Sequence, residues 1–297
     1  MLTSRGGAVV ARWAHNPKVA GANPVPATKQ ASDILRSLFF FPALGPLLPE
    51  YDCPLDSDKM TPLYEDNHII IVDKAPGEIV QGDKSGDTPL CETVKAFLKE
   101  KYAKPGNVFC GVVHRIDRPV GGLVIFAKTS KALERLNKML RDGHIHKTYL
   151  AIVQGSPVND HDTLTHYITT VERNNKSYAS LTPVENAKKA VLKYDVLARG
   201  ERYSLLKINL LTGRKHQIRV QLSAIGHPIK GDLKYGAKRS NPSGSISLRA
   251  QKIQFTHPVS GKDIDVCAPL PDYEPLFATL LAQSSNPEEF ISHDSNI

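Results

Sequence analysis

The chain has 297 residues, of which 41% are apolar, and a formal net charge of +8. This apolar content can fill one sizeable hydrophobic core, and the excess of positive charge favours a polyanionic partner such as a nucleic acid. No apolar run approaches the roughly 20 residues that a membrane-spanning helix needs, which argues against a membrane partner.

The spacing of cysteines and histidines argues against a metal site. The four cysteines lie far apart in the chain, at Cys53, Cys91, Cys110 and Cys267. This spacing fits neither a zinc cage nor a disulfide framework, and it is typical of reduced thiols in a cytoplasmic protein. His144 and His146 lack an acidic partner in a metal-ligand pattern.

Residues 1–59 differ from the rest of the chain. The first 32 residues contain four basic residues and no acidic one, which is the composition of an organelle transit peptide. Residues 20–29 also resemble the conceptual translation of a transfer-RNA gene, and this favours Met60 as the true translation start. Under either interpretation we expect residues 1–59 to be a leader or linker without a fold of its own.

After Met60 the pattern becomes that of a folded domain. Residues 69–72 form a β-branched run that predicts a strand, ended by a turn at residues 74–77. Thr88 and Pro89 predict the N-cap and first position of a helix. Its inward face carries Leu90, Val94, Phe97 and Leu98.

A charged loop interrupts the next apolar segment. Residues 108–113 and 123–127 predict two strands, and the loop between them places Asp117 between Arg115 and Arg118. Nearby positive charge favours an ionised carboxylate, so we expect Asp117 to carry its charge at a sheet edge or cleft mouth. A solvated ion pair in a surface turn is the alternative.

The middle of the chain alternates between one helix and several strands. Ser130 is expected to cap a helix that ends at Gly143, followed by a strand at residues 147–153 that carries Tyr149. Residues 163–171, 190–197 and 203–210 alternate as antiparallel strands do. The basic loop 173–176 and the pair Lys188-Lys189 are interpreted as solvated charge.

A second dense segment covers residues 211–236. Ile218, Leu222 and Ile225 share one helical face, and a group of basic residues crowds the first turns of this helix: Arg214, Lys215, His216 and Arg219. Cations near a helix N-terminus are unfavourable unless an anion lies beside them. A carboxylate from elsewhere or an RNA phosphate would stabilise them, and a solvated basic helix end is the alternative.

The last third adds strands and a helix. Residues 245–250, 252–255 and 264–267 predict strands, and residues 276–281 predict an amphipathic helix before a polar, frayed tail from Ser284. The elements between residues 60 and 283 predict an α+β domain. Its mixed, mostly antiparallel sheet would have helices at its periphery.

Taken together, the motifs resemble those of the RluA-like family of RNA pseudouridine synthases, which modify bacterial ribosomal and transfer RNA. The resemblance covers about residues 62–277 and rests on several ordered motifs: Lys74-Ala-Pro-Gly77, His114-Arg-Ile-Asp117 with Gly122, Lys147-Thr-Tyr149, Gly213-Arg-Lys-His-Gln-Ile-Arg219, Gly226-His-Pro-Ile-Lys-Gly-Asp232 with Tyr235-Gly236, and Ala268-Pro-Leu-Pro271.

The resemblance implies a fold, a reaction and a site. The fold would be a central sheet in two halves with a cleft between them, which encloses a flipped-out uridine. Asp117 would be the catalytic carboxylate, Tyr149 the active-site tyrosine and Arg219 the partner that holds Asp117 bidentately. Other motif residues would bind substrate or RNA: His114, Arg115, Arg118, Lys147, Arg214, Lys215, His216, Gln217, Lys234 and Tyr235.

The sequence departs from the family pattern at a few positions. Val120-Gly121 replaces a frequent Thr-Ser, and Gln221 and Arg249 stand where His is common. We expect none of these to touch Asp117, Tyr149 or Arg219. Residues 1–59 lack amphipathic periodicity, so the chain matches the short form of the family, which has no small N-terminal RNA-binding domain. We expect a monomer.

The reaction breaks the bond between ribose C1′ and uracil N1 and rejoins the base through C5. An ionised carboxylate beside the sugar suits this chemistry, either as nucleophile or as base, and isomerisation requires no cofactor or metal. Two alternatives are an RNA-binding protein of this fold without catalysis, and a glycosidase that uses a carboxylate pair. Asp232 is the nearest second carboxylate, and we interpret it as a structural turn residue.

Overall fold

The computed structural model describes residues 60–291 of the chain. The predictions for residues 1–59, including a leader and a start at Met60, lie outside these residues. Within the described part, no helix is long and apolar enough to cross a membrane.

One sheet of eleven strands dominates the domain. In chain order the strands are β1 (Tyr64–Glu65), β2 (Ile69–Lys74), β3 (Gly111–Val112), β4 (Gly121–Ala127), β5 (His146–Gln154), β6 (His161–Val171), β7 (Lys176–Ser180), β8 (Lys188–Arg199), β9 (Tyr203–Leu210), β10 (Leu248–Thr256) and β11 (Asp263–Cys267). The helices are α1 (Leu90–Lys101), α2 (Ser130–Arg141), α3 (Gln217–Ala224) and α4 (Leu276–Leu281), with 3₁₀ turns at Glu172–Asn174, Leu233–Tyr235 and Pro287–Phe290.

The strand order is β1-β2-β4-β10-β5-β9-β8-β6-β7, with β3 paired to β4 and β11 paired to β10. The pair β4–β10 is parallel, and the other pairs between these strands are antiparallel. The predicted α+β class with a mostly antiparallel sheet is therefore confirmed.

The sheet divides into two halves where β4 meets β10. These strands pair only at Arg249 with Gly121 and at Ala250 with Gly122. Gly122 has a φ of +116°, and a Cβ there would lie 2.3 Å from the carbonyl oxygen of Ala250. Only glycine tolerates both the conformation and the contact, so it permits the junction next to the Asp117 loop.

Both faces of β2 and β4 are buried, which explains their continuous apolar sequence. Ile70, Val124 and Phe126 belong to one buried cluster with Val94 and Leu98 of α1. The alternate residues, including Ile69, Ile71 and Ile125, form a second cluster with Ala132 and Leu136 of α2. In the other half-sheet, α3 and α4 lie on opposite faces: Val220 of α3 packs with Ile168 and Ala190, and Phe277 of α4 packs with Leu150 and Leu205.

Several predicted boundaries were wrong for local reasons. Thr129, whose backbone is extended, caps α2 by accepting a hydrogen bond from the Ala132 amide at 3.1 Å, whereas Ser130 is already helical. Pro89, not Thr88, is the N-cap of α1, and no side chain caps this helix. Of residues 108–113, only Gly111–Val112 form strand pairs.

Two segments interpreted as loop or tail are ordered parts of the fold. Lys176 is the first residue of β7, which pairs with β6 and forms an edge of the sheet, so the basic loop is the turn of a hairpin. Beyond Ser284, the turn Pro287–Phe290 buries Phe290 completely. The predicted frayed tail was therefore wrong at these residues.

Candidate active site

Asp117 and Arg219 meet at the division between the two half-sheets. Asp117 lies in the loop between β3 and β4, and Arg219 lies in the first turn of α3. Arg219 Nη1 donates a hydrogen bond to Asp117 Oδ2 at 3.0 Å. The predicted pairing of these residues is present, although they are 102 positions apart in the chain.

A second carboxylate holds the rest of the Arg219 guanidinium. Nε and Nη2 of Arg219 donate to the two oxygens of Asp232 at 2.7 and 2.9 Å. The bidentate partner is thus Asp232, and the expectation of bidentate contact with Asp117 was wrong. The interpretation of Asp232 as a mere turn residue was also wrong, because its carboxylate is 1% exposed and is committed to Arg219.

The two carboxylates keep Arg219 charged in a buried position. Burial alone would lower the pKa of Arg219, but the hydrogen bonds and charge of Asp232, with a further contribution from Asp117, raise it. An isolated buried charge would cost several kcal/mol, so this pairing is what permits a cation here. A buried, paired arginine explains the basic start of α3 at this position.

Tyr235 and His216 complete the surroundings of Arg219. The Tyr235 ring centroid lies 4.9 Å from the Arg219 Cζ, which is a cation–π contact. The Tyr235 hydroxyl accepts a hydrogen bond from the Ser177 amide at 2.8 Å and lies 2.7 Å from His216 Nδ1. Either the Tyr235 hydroxyl or His216 Nδ1 donates this hydrogen bond, depending on which ring nitrogen carries the proton.

His216 faces Asp117 as a neutral ring. Its Nε2 lies 3.8 Å from Asp117 Oδ2, and its backbone is left-handed with a φ of 54°. Burial lowers the pKa of His216 to about 4, opposed by Asp117 and reinforced by the positive charges of Arg219, Lys234 and Lys215. At neutral pH, Arg219 is therefore the cation that contacts Asp117.

Tyr149 is buried in β5, on the sheet face that it shares with its cross-strand neighbours Ile208 and Ala250. Burial raises the pKa of Tyr149, and the negative charge of Asp117 raises it further. The hydroxyl is therefore protonated at neutral pH, and in this state Tyr149 offers an aromatic ring and a neutral donor, not a base.

Lys74 anchors the loop that carries Asp117. Its Nζ donates to the carbonyl oxygens of Ala75, Glu78 and Arg118 at 2.8, 3.0 and 3.2 Å. Burial lowers the pKa of Lys74 to about 8. The sequence indicated only a turn here, although a lysine at the end of an apolar strand was a signal for such an anchor.

The predicted RNA contacts divide into exposed and buried residues. Arg115, Arg118, Arg214, Lys215 and Lys234 are exposed, and Lys147 is half-buried. Arg118 pairs with Asp87 rather than with Asp117. The other predicted contacts are buried, namely His114, His216, Gln217 and Tyr235.

Two of these buried residues hold backbone near the site. Gln217 accepts hydrogen bonds from the Thr212 hydroxyl and the Arg214 amide, at 2.8 and 3.0 Å, and fixes the loop before α3. His114 Nε2 accepts from the Ile125 amide of β4 at 3.3 Å. Direct RNA contact by either residue stays a prediction.

Two departures from the family pattern have partners away from Asp117. Gln221 donates to the Leu164 carbonyl at 3.1 Å. Arg249 donates to Asp73 at 2.6 Å and to the Pro269 carbonyl at 2.7 Å.

The mostly antiparallel sheet in two halves, with Asp117 and Arg219 paired where the halves meet, has the fold of the pseudouridylate synthases. Human RNA Pseudouridylate Synthase Domain Containing 4 has the same fold, with a TM-score of 0.60 and 21% identity over 71% of this chain and 89% of that chain.

Sequence comparisons identify the family. The RNA pseudouridylate synthase family model matches residues 68–224. The uncharacterised RNA pseudouridine synthase YlyB of Bacillus subtilis is 33% identical over 222 residues, which cover 74% of this chain and 71% of that protein. Ribosomal large subunit pseudouridine synthase D of Zymomonas mobilis is 31% identical over 237 residues, 75% of this chain and 74% of that protein. The chain belongs to the RNA pseudouridylate synthase family, whose members are RNA isomerases.

Proposed function

We propose that this chain converts uridine to pseudouridine in RNA with Asp117 as the catalytic carboxylate. The observation that carries the proposal is the single hydrogen bond from Arg219 to Asp117 Oδ2. The contact orients the carboxylate and leaves Oδ1 without a hydrogen-bond donor among residues 60–291. A bidentate arginine would occupy both oxygens, whereas this arrangement leaves one available for reaction.

The free oxygen suits either chemical role of the carboxylate. As a nucleophile it would attack ribose C1′ as the bond to N1 breaks, and as a base it would remove a ribose proton. In both cases the uracil rotates and its C5 bonds to C1′. In the nucleophile route this breaks the bond between the carboxylate and C1′, and in the base route the carboxylate returns the proton to the ribose. C5 then loses its proton and N1 takes one up, so the product is an isomer of uridine. Arg219 stabilises the carboxylate whenever it carries negative charge.

The target base must leave the RNA stack to reach Asp117. Extrusion costs a few kcal/mol, and stacking in the pocket offsets this cost. We assign the stacking to the Tyr149 ring, whose hydroxyl stays protonated. Exposed Arg115, Arg214, Lys215 and Lys234 are proposed phosphate contacts, so salt is expected to weaken RNA binding.

Substitution of Asp117 tests the catalytic role. Asp117→Asn keeps the shape of the side chain but removes its charge, and we expect it to abolish tritium release from RNA labelled at uridine C5 while RNA binding persists. Asp87→Asn, which alters an exposed carboxylate paired with Arg118, is the matched control. Full activity of Asp117→Asn would refute the role of Asp117. Release of free uracil by the wild-type protein would favour a glycosidase.

For the target, we propose large-subunit ribosomal RNA in the cytoplasm. The support is the name of the Zymomonas mobilis relative, a ribosomal large subunit enzyme. Mapping pseudouridines in cells with and without the gene tests this proposal. A site lost only from transfer RNA would contradict it.

A further inference from the structure

We propose that an open face of the half-sheet β9-β8-β6-β7 binds single-stranded RNA that flanks the target uridine. Tyr167 and Tyr178 would stack on bases, and Lys189 and Lys193 would contact phosphates. We call these four residues the outer platform. The choice of RNA as partner rests on the proposed function.

The strand register places the outer platform on one face. Residues directly opposite each other in antiparallel strands share a face, and alternate residues along a strand share it too. Tyr167 lies opposite Lys189, and Thr169 lies opposite Tyr178. Tyr167 and Tyr178 are therefore diagonal neighbours, about 7 Å apart.

The same register continues from β6 through β8 to β9. Lys193 lies opposite Thr163 of β6 and Asn209 of β9. Thr163, Thr165 and Tyr167 are alternate residues of β6 and share one face, so Lys193, opposite Thr163, lies on the face of Tyr167.

The residues between these positions point to the other face. Ile168 and Ala190 pack against Val220 of α3 and Tyr235. The same face carries Tyr149. Tyr149 lies opposite Ile208 of β9, and Ile208 belongs to the buried cluster that also contains Leu192 of β8. The outer platform thus lies on the opposite side of the sheet from the candidate active site.

Only one end of the outer face is covered by the C-terminal segment. Leu205 of β9, at that end, packs with Phe277 and Leu280 of α4. At the β6–β7 end, Tyr178 is 44% exposed and Tyr167 is half-buried. The Tyr178 hydroxyl accepts a hydrogen bond from Asn174 Nδ2 at 3.1 Å in the same hairpin, and its side chain remains open to solvent.

Charge on the open face favours a polyanion. Lys189 and Lys193 are exposed on this face. Lys176 lies at the sheet edge, with its Nζ 5.7 Å from the Tyr178 ring centroid and 5.5 Å from that of Tyr235 on the other face. Asp195 is the acidic residue of β8 on this face, and it lies opposite Lys207 of β9. Threonines such as Thr163 and Thr165 fill the intervening exposed positions and add hydroxyl donors and acceptors.

Aromatic side chains on a sheet face, with cations beside them, are a recurrent way to hold single-stranded RNA. Stacking needs unpaired bases, which fits a single strand rather than a duplex. Because β7 is the edge strand, RNA that leaves the active-site face can pass Lys176 and reach the outer platform without crossing another element of the sheet.

The test measures binding of a fluorescein-labelled oligouridine of about 12 nucleotides by fluorescence anisotropy. We expect Tyr167→Ala and Tyr178→Ala each to weaken binding about fivefold or more, and Tyr167→Phe and Tyr178→Phe to retain it, because stacking needs the ring. Phe109→Ala, which removes a 45% exposed ring beside β3, is the matched control.

The lysines are tested by the salt dependence of the same binding. Removing both charges with Lys189→Gln and Lys193→Gln should reduce the slope of log affinity against log salt by about 1.4. Lys99→Gln with Lys131→Gln, at exposed positions of α1 and α2, should leave the slope nearly unchanged.

Several outcomes overturn the outer platform. The first is that the wild-type chain does not bind oligouridine. The second is that both Tyr→Ala variants keep the wild-type affinity while circular dichroism shows them folded. The third is that Phe109→Ala weakens binding as much as they do. Failure of the proposed function is distinct, since it is measured by tritium release. A chain that binds oligouridine through both tyrosines but forms no pseudouridine would keep the outer platform and refute the catalytic proposal.

Discussion

Asp232 holds Arg219 through two hydrogen bonds, at 2.7 and 2.9 Å, while Arg219 reaches Asp117 through one at 3.0 Å. The guanidinium is planar and rigid, so the position of Asp232 determines where Nη1 points. Asp232 therefore positions Arg219, and through it the carboxylate that we propose as catalytic.

Asp232→Asn should impair catalysis more than RNA binding. An amide oxygen accepts only one of the two guanidinium hydrogen bonds without a clash, so Arg219 shifts. We expect the single-turnover rate to fall by about 100-fold or more, and the free energy of unfolding to fall by about 3 kcal/mol. Rapid-quench kinetics and urea unfolding measure the two effects.

Glu274→Gln is the control for that substitution. Glu274 is a buried carboxylate that bonds Lys230, Asn241 and Ser247 and makes no hydrogen bond to Arg219 among residues 60–291. It should lose comparable stability and keep the catalytic rate of the folded protein. Equal rates for Asp232→Asn and wild type would refute the positioning role of Asp232.

Substitutions of Tyr149 separate the roles of its ring and hydroxyl. Because its pKa is raised by burial and by Asp117, the hydroxyl is not a base at neutral pH, and the ring should matter more. Tyr149→Phe should retain most of the single-turnover rate, whereas Tyr149→Leu should lower it by roughly 5- to 150-fold through lost stacking. Equal losses in both variants would instead assign an essential role to the hydroxyl.

Gly122→Ala should destabilise the junction of the half-sheets. The new Cβ would lie 2.3 Å from the Ala250 carbonyl oxygen, at a φ of +116° that alanine disfavours. Strain and overpacking together predict a loss of about 3 kcal/mol or more, which thermal denaturation would detect. Gly82→Ala is the control, since no atom lies within 4 Å of its Cβ. An unaltered melting temperature for Gly122→Ala would contradict the proposed junction geometry.

We expect the free energy of unfolding to decrease in mild acid because of His114. Burial, with a contribution from Lys147, lowers the pKa of His114 from 6.5 to about 3. Below pH 6.5 the unfolded chain therefore takes up a proton at His114 that the folded chain does not, and stability falls as pH decreases towards about 3. At about pH 5 this costs about 2 kcal/mol.

Urea unfolding at about pH 7.5 and pH 5 checks this sign. His114→Gln should lose less stability between the two pH values than wild type, although His216 contributes a similar dependence in both proteins. His161→Gln, at an exposed position, should behave as wild type. A steeper dependence in His114→Gln would contradict the assignment of a neutral, buried imidazole.

Much of the secondary structure follows from the sequence because it depends on local burial. Strand β4 is buried on both faces, so its residues form an unbroken apolar run, and the inward face of α1 repeats at helical spacing. Strand β7 was missed because its inward positions are Ser177 and Ala179, which are too small and polar to give the apolar alternation of a strand.

The candidate site likewise has some features that the sequence predicts and others that depend on the tertiary structure. The motifs around Asp117 and Arg219, through their resemblance to the family, were sufficient to predict that these two residues pair. That Tyr149 acts with them stays a prediction. The sequence alone did not determine that Asp232 takes the bidentate side of Arg219, or that Arg118 pairs with Asp87. Hydrogen-bond geometry depends on how the β3–β4 loop, α3 and the turn after it sit in space, and only the tertiary structure decides that arrangement.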